Sequence, residues 1–264
     1  MLVPVLGTLS IAWAALDLWP LQGHWLPEDV SQDGAAMDHL FDLILYLTGA
    51  IFVGTGLALA WFMWKYGEHQ NNGDKVEYTH GSRKLEATWS IIPGIILVFI
   101  SIYQMKVWEQ QKMDRPTEIV DGQVVLKPPL LRVVARQFGW QFQYAGKDRL
   151  LDTADDLISD TIMVIPQNEE VVVAIESEDV LHSFFLPNMR VKQDIVPGMV
   201  QYCWFKALKT GNYDIVCAEL CGWGHYKMKG RLTVLPADEY DAWFDAAFAE
   251  QEKSDFSSEA SESE

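Results

Sequence analysis

Two long stretches of the chain carry no charge, and the region beyond them breaks into short apolar runs. Residues 43–64 (LILYLTGAIFVGTGLALAWFMW) are 22 positions without Asp, Glu, Lys or Arg, and residues 87–105 (ATWSIIPGIILVFISIYQM) are 19. Each exceeds the roughly 18 uncharged residues that mark a transmembrane helix. A core helix of a soluble domain would keep a polar face, and neither stretch has one. Pro93 and the glycines are tolerated in such a setting. The connecting loop holds Lys65, Lys75, Arg83 and Lys84, whereas residues 1–42 hold no Lys or Arg. The positive-inside rule therefore predicts a hairpin with its turn in the cytoplasm and everything after about residue 108 on the outer face. Lys106, Lys112 and Arg115 oppose that bias without reversing it. The first 16 residues (MLVPVLGTLSIAWAAL) are also apolar but lack a basic start, and Asp17 and Pro20 end them. A cleaved signal, a short anchor and an extra helix stay open there, with a retained segment favoured.

From residue 130 the period shortens. LLRVVARQFGWQFQY, EEVVVAIES, MVQYCWFKAL, GNYDIVCAEL and MKGRLTVLP are rich in Val, Ile and aromatics, and turn residues separate them. Runs of this kind predict a small antiparallel sandwich or Greek-key barrel. Residues 238–248 (DEYDAWFDAAF) predict one amphipathic helix. The Ser/Glu-rich tail from Gln251 has little apolar surface to bury and is expected to be disordered. The expected plan is an N-terminal apolar segment and outer-face linker (1–39), a transmembrane hairpin (40–108), an exported β domain (109–236), and a C-terminal helix with an acidic tail (237–264).

Charge sharpens this plan. The net charge is −17 although 49% of residues are hydrophobic, and residues 109–264 hold 27 Asp/Glu against 15 Lys/Arg. Such a surface repels nucleic acid and suits a basic protein partner. Acids around Glu176, Glu178 and Asp179, and in the run 152–160, are candidates for that steering. Three cysteines are too few for a disulfide scaffold.

The candidate chemistry sits in residues 217–228, CAELCGWGHYKM. Cys217, Cys221, His225 and Met228 are spaced by 4, 4 and 3. Helical spacing would allow them to share a face, but Gly222 and Gly224 after a strand favour a loop that wraps around an ion. Thiolate, imidazole and thioether form a soft set that selects copper, whereas zinc has little use for the methionine. With the upstream His182 of VLHSFFLP there are two thiolates, two imidazoles and a thioether, too many for one copper. They fit two coppers bridged by both sulfurs, each with one terminal histidine. Such a site has no open position for a substrate, so it passes electrons. A Cys217–Cys221 disulfide is the bland alternative. Cys203 reads as core, and His24, His39, His69 and His80 show no ligand spacing.

CAELCGWGHYKM together with VLHSFFLP resembles subunit 2 of the haem–copper cytochrome c oxidases, from about residue 40 to about residue 245. The resemblance implies a membrane-anchored all-β protein, a two-helix transmembrane hairpin followed by a cupredoxin-like Greek-key barrel. It implies copper ligation by His182, Cys217, Cys221, His225, Met228 and the backbone carbonyl of Glu219. It further implies that the Glu219 carboxylate reaches a magnesium ion at the junction with subunit 1, near Asp194 of VKQDIVPG. Glu86 of LEATWSIIP is similar to a glutamate at the cytoplasmic mouth of a proton channel; a solvated residue at a helix start is the alternative. The implied partners are subunit 1, which carries the haems, subunit 3, membrane lipid, and cytochrome c or a cytochrome c domain. The implied location is a bacterial inner membrane, with oxygen reduced in subunit 1 and protons translocated.

Three positions depart from the family. Gln137-Phe138-Gly139-Trp140 stands where the family has Gln-Trp-Tyr-Trp, and Met199 stands where an arginine is common. Trp140, Phe138 and the copper loop itself are the candidates for the point where the electron arrives, and the altered run suggests a donor held nearby, as in a supercomplex. A copper carrier and a metal-free structural subunit are the rival classes; a carrier needs a sparser, exchangeable ligand set.

Overall fold

In the computed structural model of the chain, the residues described are 26–67, 78, 80–160 and 162–262. The apolar segment 1–16, Lys75, His24 and His69 lie outside them. The chain divides into two units, one including Ala36–Trp108, the other comprising Glu28–Ala35 and Glu109–Glu264.

The first unit is built on two helices, α1 (Gly34–Lys65) and α2 (Arg83–Lys112). Both are long and apolar enough to cross a membrane, and none of their apolar core is buried within the chain. Several of their hydroxyl groups bond within the helix: Thr48, Thr55 and Ser101 donate to the carbonyls of Ile44, Ile51 and Leu97 at 2.7, 2.8 and 2.8 Å. Bonds of this kind remove the need for water in a hydrocarbon layer. Glu86 lies exposed in the first turn of α2, where a carboxylate complements the helix dipole.

The second unit begins with a hairpin, β1 (Thr117–Val120) and β2 (Gln123–Leu126). Its turn is Asp121-Gly122, both at positive φ (52° and 77°), as a tight hairpin turn requires. The next strands are β3 (Leu131–Arg136), β4 (Gly139–Tyr144), β5 (Leu157–Asp160), β6 (Ile162–Pro166) and β7 (Glu170–Ser177). Then come β8 (His182–Leu186), β9 (Val191–Ile195), β10 (Gln201–Lys206), β11 (Gly211–Cys217) and β12 (Lys229–Leu235). They form two five-stranded sheets, ordered β10-β7-β3-β4-β5 and β6-β12-β11-β8-β9. The sandwich is as expected, but it is not wholly antiparallel: β3 pairs with β7, and β12 with β6, in parallel. Those pairings join strands far apart in sequence, so no local pattern announces them.

Alternate residues of the two sheets fill the core. Val133, Phe142 and Ile175 from one face meet Phe184, Ile215 and Leu232 from the other, all fully buried. Tyr144 belongs there because its hydroxyl is satisfied. It donates to the Val164 carbonyl at 3.0 Å and accepts from the Val164 N–H at 2.6 Å. Residues 28–32, expected to be linker, instead join the sandwich: Ser31 bridges Ala207, and the Val30 carbonyl accepts from the Leu208 N–H at 2.7 Å.

Helix α3 (Ala237–Glu262) closes the unit, with Trp243 edge-on to Tyr144 at 5.4 Å between ring centroids. It runs past Phe248 through the segment expected to be disordered. No Gly or Pro occurs between Ala237 and Glu262, and Gln, Glu, Lys and Ala are good helix formers, so nothing local stops it.

Candidate metal centre

Strand pairing brings the centre together. Cys217, the last residue of β11, pairs with Phe184 of β8, a strand that begins at His182. The chain then leaves the sheet and doubles back. The Cys217 N–H donates to the Met228 carbonyl at 3.2 Å, and the Ala218 N–H to the Ser183 carbonyl at 3.1 Å. A 3₁₀ turn over His225–Lys227 completes the return. The segment is therefore a loop at the end of the sandwich, as its glycines suggested.

Within it the two thiols are central. Cys217 Sγ and Cys221 Sγ are 3.9 Å apart, both buried, and free of any disulfide. His182 Nδ1 lies 3.9 Å from Cys217 Sγ, and the Glu219 carbonyl lies 3.2 Å from it. His225 Nδ1 and Met228 Sδ lie 3.7 and 3.8 Å from Cys221 Sγ. The ligand atoms of His182, Cys217 and Cys221 all fall within 4.8 Å of one another. Burial, then the neighbouring Cys217, push the Cys221 thiol above its ordinary range. Two thiolates side by side need a cation between them, so the donor set fits a soft metal.

Neighbouring groups fix the ligands. Asp179 Oδ1 accepts from His182 Nε2 at 2.8 Å, and the Gln137 N–H donates to Asp179 Oδ2 at 2.7 Å. Burial opposes ionisation of Asp179, but these bonds and one from the Val180 N–H outweigh it and hold the carboxyl below its ordinary value. With Nε2–H donated to the carboxylate, Nδ1 is left as the lone-pair nitrogen facing the thiols. The Gln137 side chain donates to the Cys221 carbonyl. Asp179 thus orients a ligand, a role sequence reasoning missed; its place three residues before His182 was the available signal. Other acids of the expected steering face are also engaged: Asp152 and Glu176 both pair with Arg132, at 2.7 and 3.6 Å.

The two aromatic candidates for the arrival point differ in position. Trp140 is 3% exposed, its ring 6.5 Å from that of His182, so no protein donor touches it. Phe138 is half-buried against the loop. Glu86 lies in the other unit. Asp194 lies in β9, where Lys192 donates to it at 2.7 Å.

Residues 131–233 match the family described as cytochrome c oxidase subunit II, periplasmic domain, and residues 21–107 match its transmembrane domain. An alternative cytochrome c oxidase subunit 2 of Bradyrhizobium diazoefficiens is 27% identical over 250 residues, 86% of each chain. Cytochrome c oxidase subunit 2 of Cereibacter sphaeroides is 30% identical over 244 residues, 81% of this chain and 77% of that one. The crystal structure of the periplasmic domain of subunit II of cytochrome oxidase of Bradyrhizobium japonicum is 29% identical, covering 48% of this chain and 98% of that one, with a TM-score of 0.42.

Proposed function

We propose how this chain, which belongs to the cytochrome c oxidase subunit II family, carries electrons: His182, Cys217, Cys221, His225 and Met228, with the Glu219 carbonyl, hold two copper ions. The chain is the electron-accepting subunit of a haem–copper oxidase, a membrane-anchored protein with a periplasmic domain that works with other oxidase subunits. One observation carries the copper count. His182 Nδ1 lies 3.9 Å from Cys217 Sγ and His225 Nδ1 lies 3.7 Å from Cys221 Sγ, and the donors within 4.8 Å of one another are those of His182, Cys217 and Cys221, not that of His225. A single ion would need all four donor atoms within such a span, whereas two ions sharing the thiols need only three each.

Bound copper supplies one-electron redox chemistry. The protein's part is to hold the donors still and dry. Asp179 sets the His182 tautomer, Gln137 pins the Cys221 carbonyl, and Met228, 1% exposed, packs its sulfur against Cys221 Sγ. A rigid ligand cage keeps reorganisation small when the charge changes. In this reading Glu219 offers its carboxylate to a magnesium ion at the junction with subunit 1, and Asp194 lies near that junction. Glu86 takes the proton-channel role at the cytoplasmic end of α2. The electron donor is a cytochrome c, free or held as a domain in a supercomplex, the membrane is a bacterial inner membrane, and subunit 3 completes the set. Metal analysis of the purified chain tests the centre: two coppers per chain support it, and one copper, zinc or no metal overturns it.

A further inference from the structure

One large side chain on the copper loop has no part in ligation. Trp223 lies midway between Cys221 and His225 and is 79% exposed. The turn that carries it is closed by the His225 N–H to the Gly222 carbonyl at 3.1 Å and the Lys227 N–H to the Gly224 carbonyl at 2.9 Å. Phe138 packs against the same turn. A Cβ on Gly224 would lie 2.5 Å from Phe138 Cδ2, and one on Gly222 would lie 3.2 Å from Phe138 Cε1. Trp223 then meets Phe138 edge to face, with ring centroids 5.3 Å apart.

The indole therefore projects from a fixed turn, and docking against it costs little conformational entropy. Its surroundings differ from the acidic surface elsewhere. Leu220 and Tyr226 of the same loop are 76% and 69% exposed, and Lys227 Nζ stands 5.7 Å over the Trp223 ring and 5.4 Å over that of Tyr226. A large aromatic at the centre of an exposed apolar patch is the usual anchor of a protein–protein contact.

We propose that Trp223 is the surface contact through which a one-electron haem donor delivers its electron to the copper loop, a role resting on the copper reading above. The electron leaves a ferrous haem, which becomes ferric, and is gained by the copper the loop holds. Trp223 is neither oxidised nor reduced. It bridges the gap, two residues from Cys221 in one direction and two from His225 in the other. Phe138 supports the indole from behind, and the buried Trp140 is not touched. The partner fitted to this patch is a c-type haem protein whose exposed haem edge is rimmed by apolar side chains.

The test uses the intact oxidase with Trp223→Leu and the conservative Trp223→Phe. Three quantities are read: the copper resonance spectrum, the dissociation constant for ferric cytochrome c, and the second-order rate constant for reduction by ruthenium-labelled cytochrome c after a flash. The proposal expects an unchanged spectrum, and in Trp223→Leu binding weakened about tenfold and a rate constant lowered at least about tenfold, both largely restored in Trp223→Phe. Binding and rate within about twofold of wild type, with an intact spectrum, overturn it. So does an altered spectrum or loss of the other subunits, because Trp223 would then be a structural residue. A wild-type oxidase without a copper signal is a different failure: it removes the copper reading first and this role with it.

Discussion

Asp179 binds His182 Nε2 at 2.8 Å and so turns the other ring nitrogen, Nδ1, toward Cys217 Sγ, 3.9 Å away. Groups that orient metal-bound imidazoles typically change metal affinity about 10–100-fold when removed. Asp179→Ala is expected to lower copper affinity by roughly that factor while leaving every ligand in place. Competition against a copper chelator measures it, and an unchanged affinity would show that the carboxylate is ornamental to the site.

Gly224 is the closest backbone approach to Phe138, since a methyl group there would lie 2.5 and 2.6 Å from ring carbons. Gly224→Ala should cost about 1–3 kcal/mol by overpacking and perturb the copper absorption. The double variant with Phe138→Ala should recover part of the loss, with a coupling of about 0.5–3 kcal/mol in a thermodynamic cycle. Additive losses would mean that the ring does not pack on the loop.

Much of this architecture was legible in the sequence, and the omissions have physical causes. The two helices stood out because a membrane leaves no polar face to blur the pattern. Strands β3, β4, β7, β10, β11 and β12 showed as Val- and aromatic-rich runs because each is buried on at least one side. The β1–β2 hairpin did not, for its apolar residues stay outside (Ile119 is 77% exposed), and only Asp121-Gly122 marked it. The thiols, imidazoles and thioether were readable because donor type and spacing survive in one dimension. Asp179, Gln137 and Trp223 were not, because their roles depend on which loop lies against which.

Cys203 separates structural from ligating cysteines. It is 4% exposed in β10, and burial pushes its thiol up to about 12 despite the opposing charge of Lys112. A group so shifted stays protonated, hence unreactive, through the neutral range. Alkylation should reach it only after unfolding, and Cys203→Ala should leave the copper content unchanged. Loss of copper in that variant would move Cys203 into the site.

Tyr144 makes a different kind of test, because its hydroxyl both accepts the Val164 N–H and donates to the Val164 carbonyl inside the core. Tyr144→Phe strands both backbone groups and should destabilise the domain by about 1–3 kcal/mol. Denaturant unfolding measures this, and a neutral result would mean that water replaces the hydroxyl.

The central claim is that Cys217 and Cys221 join two coppers into one redox unit, with His182 and His225 at its ends. Electron paramagnetic resonance of the oxidised protein tests this most directly. One unpaired electron shared equally by two copper nuclei predicts a seven-line hyperfine pattern, whereas a four-line signal, or none, would contradict the account.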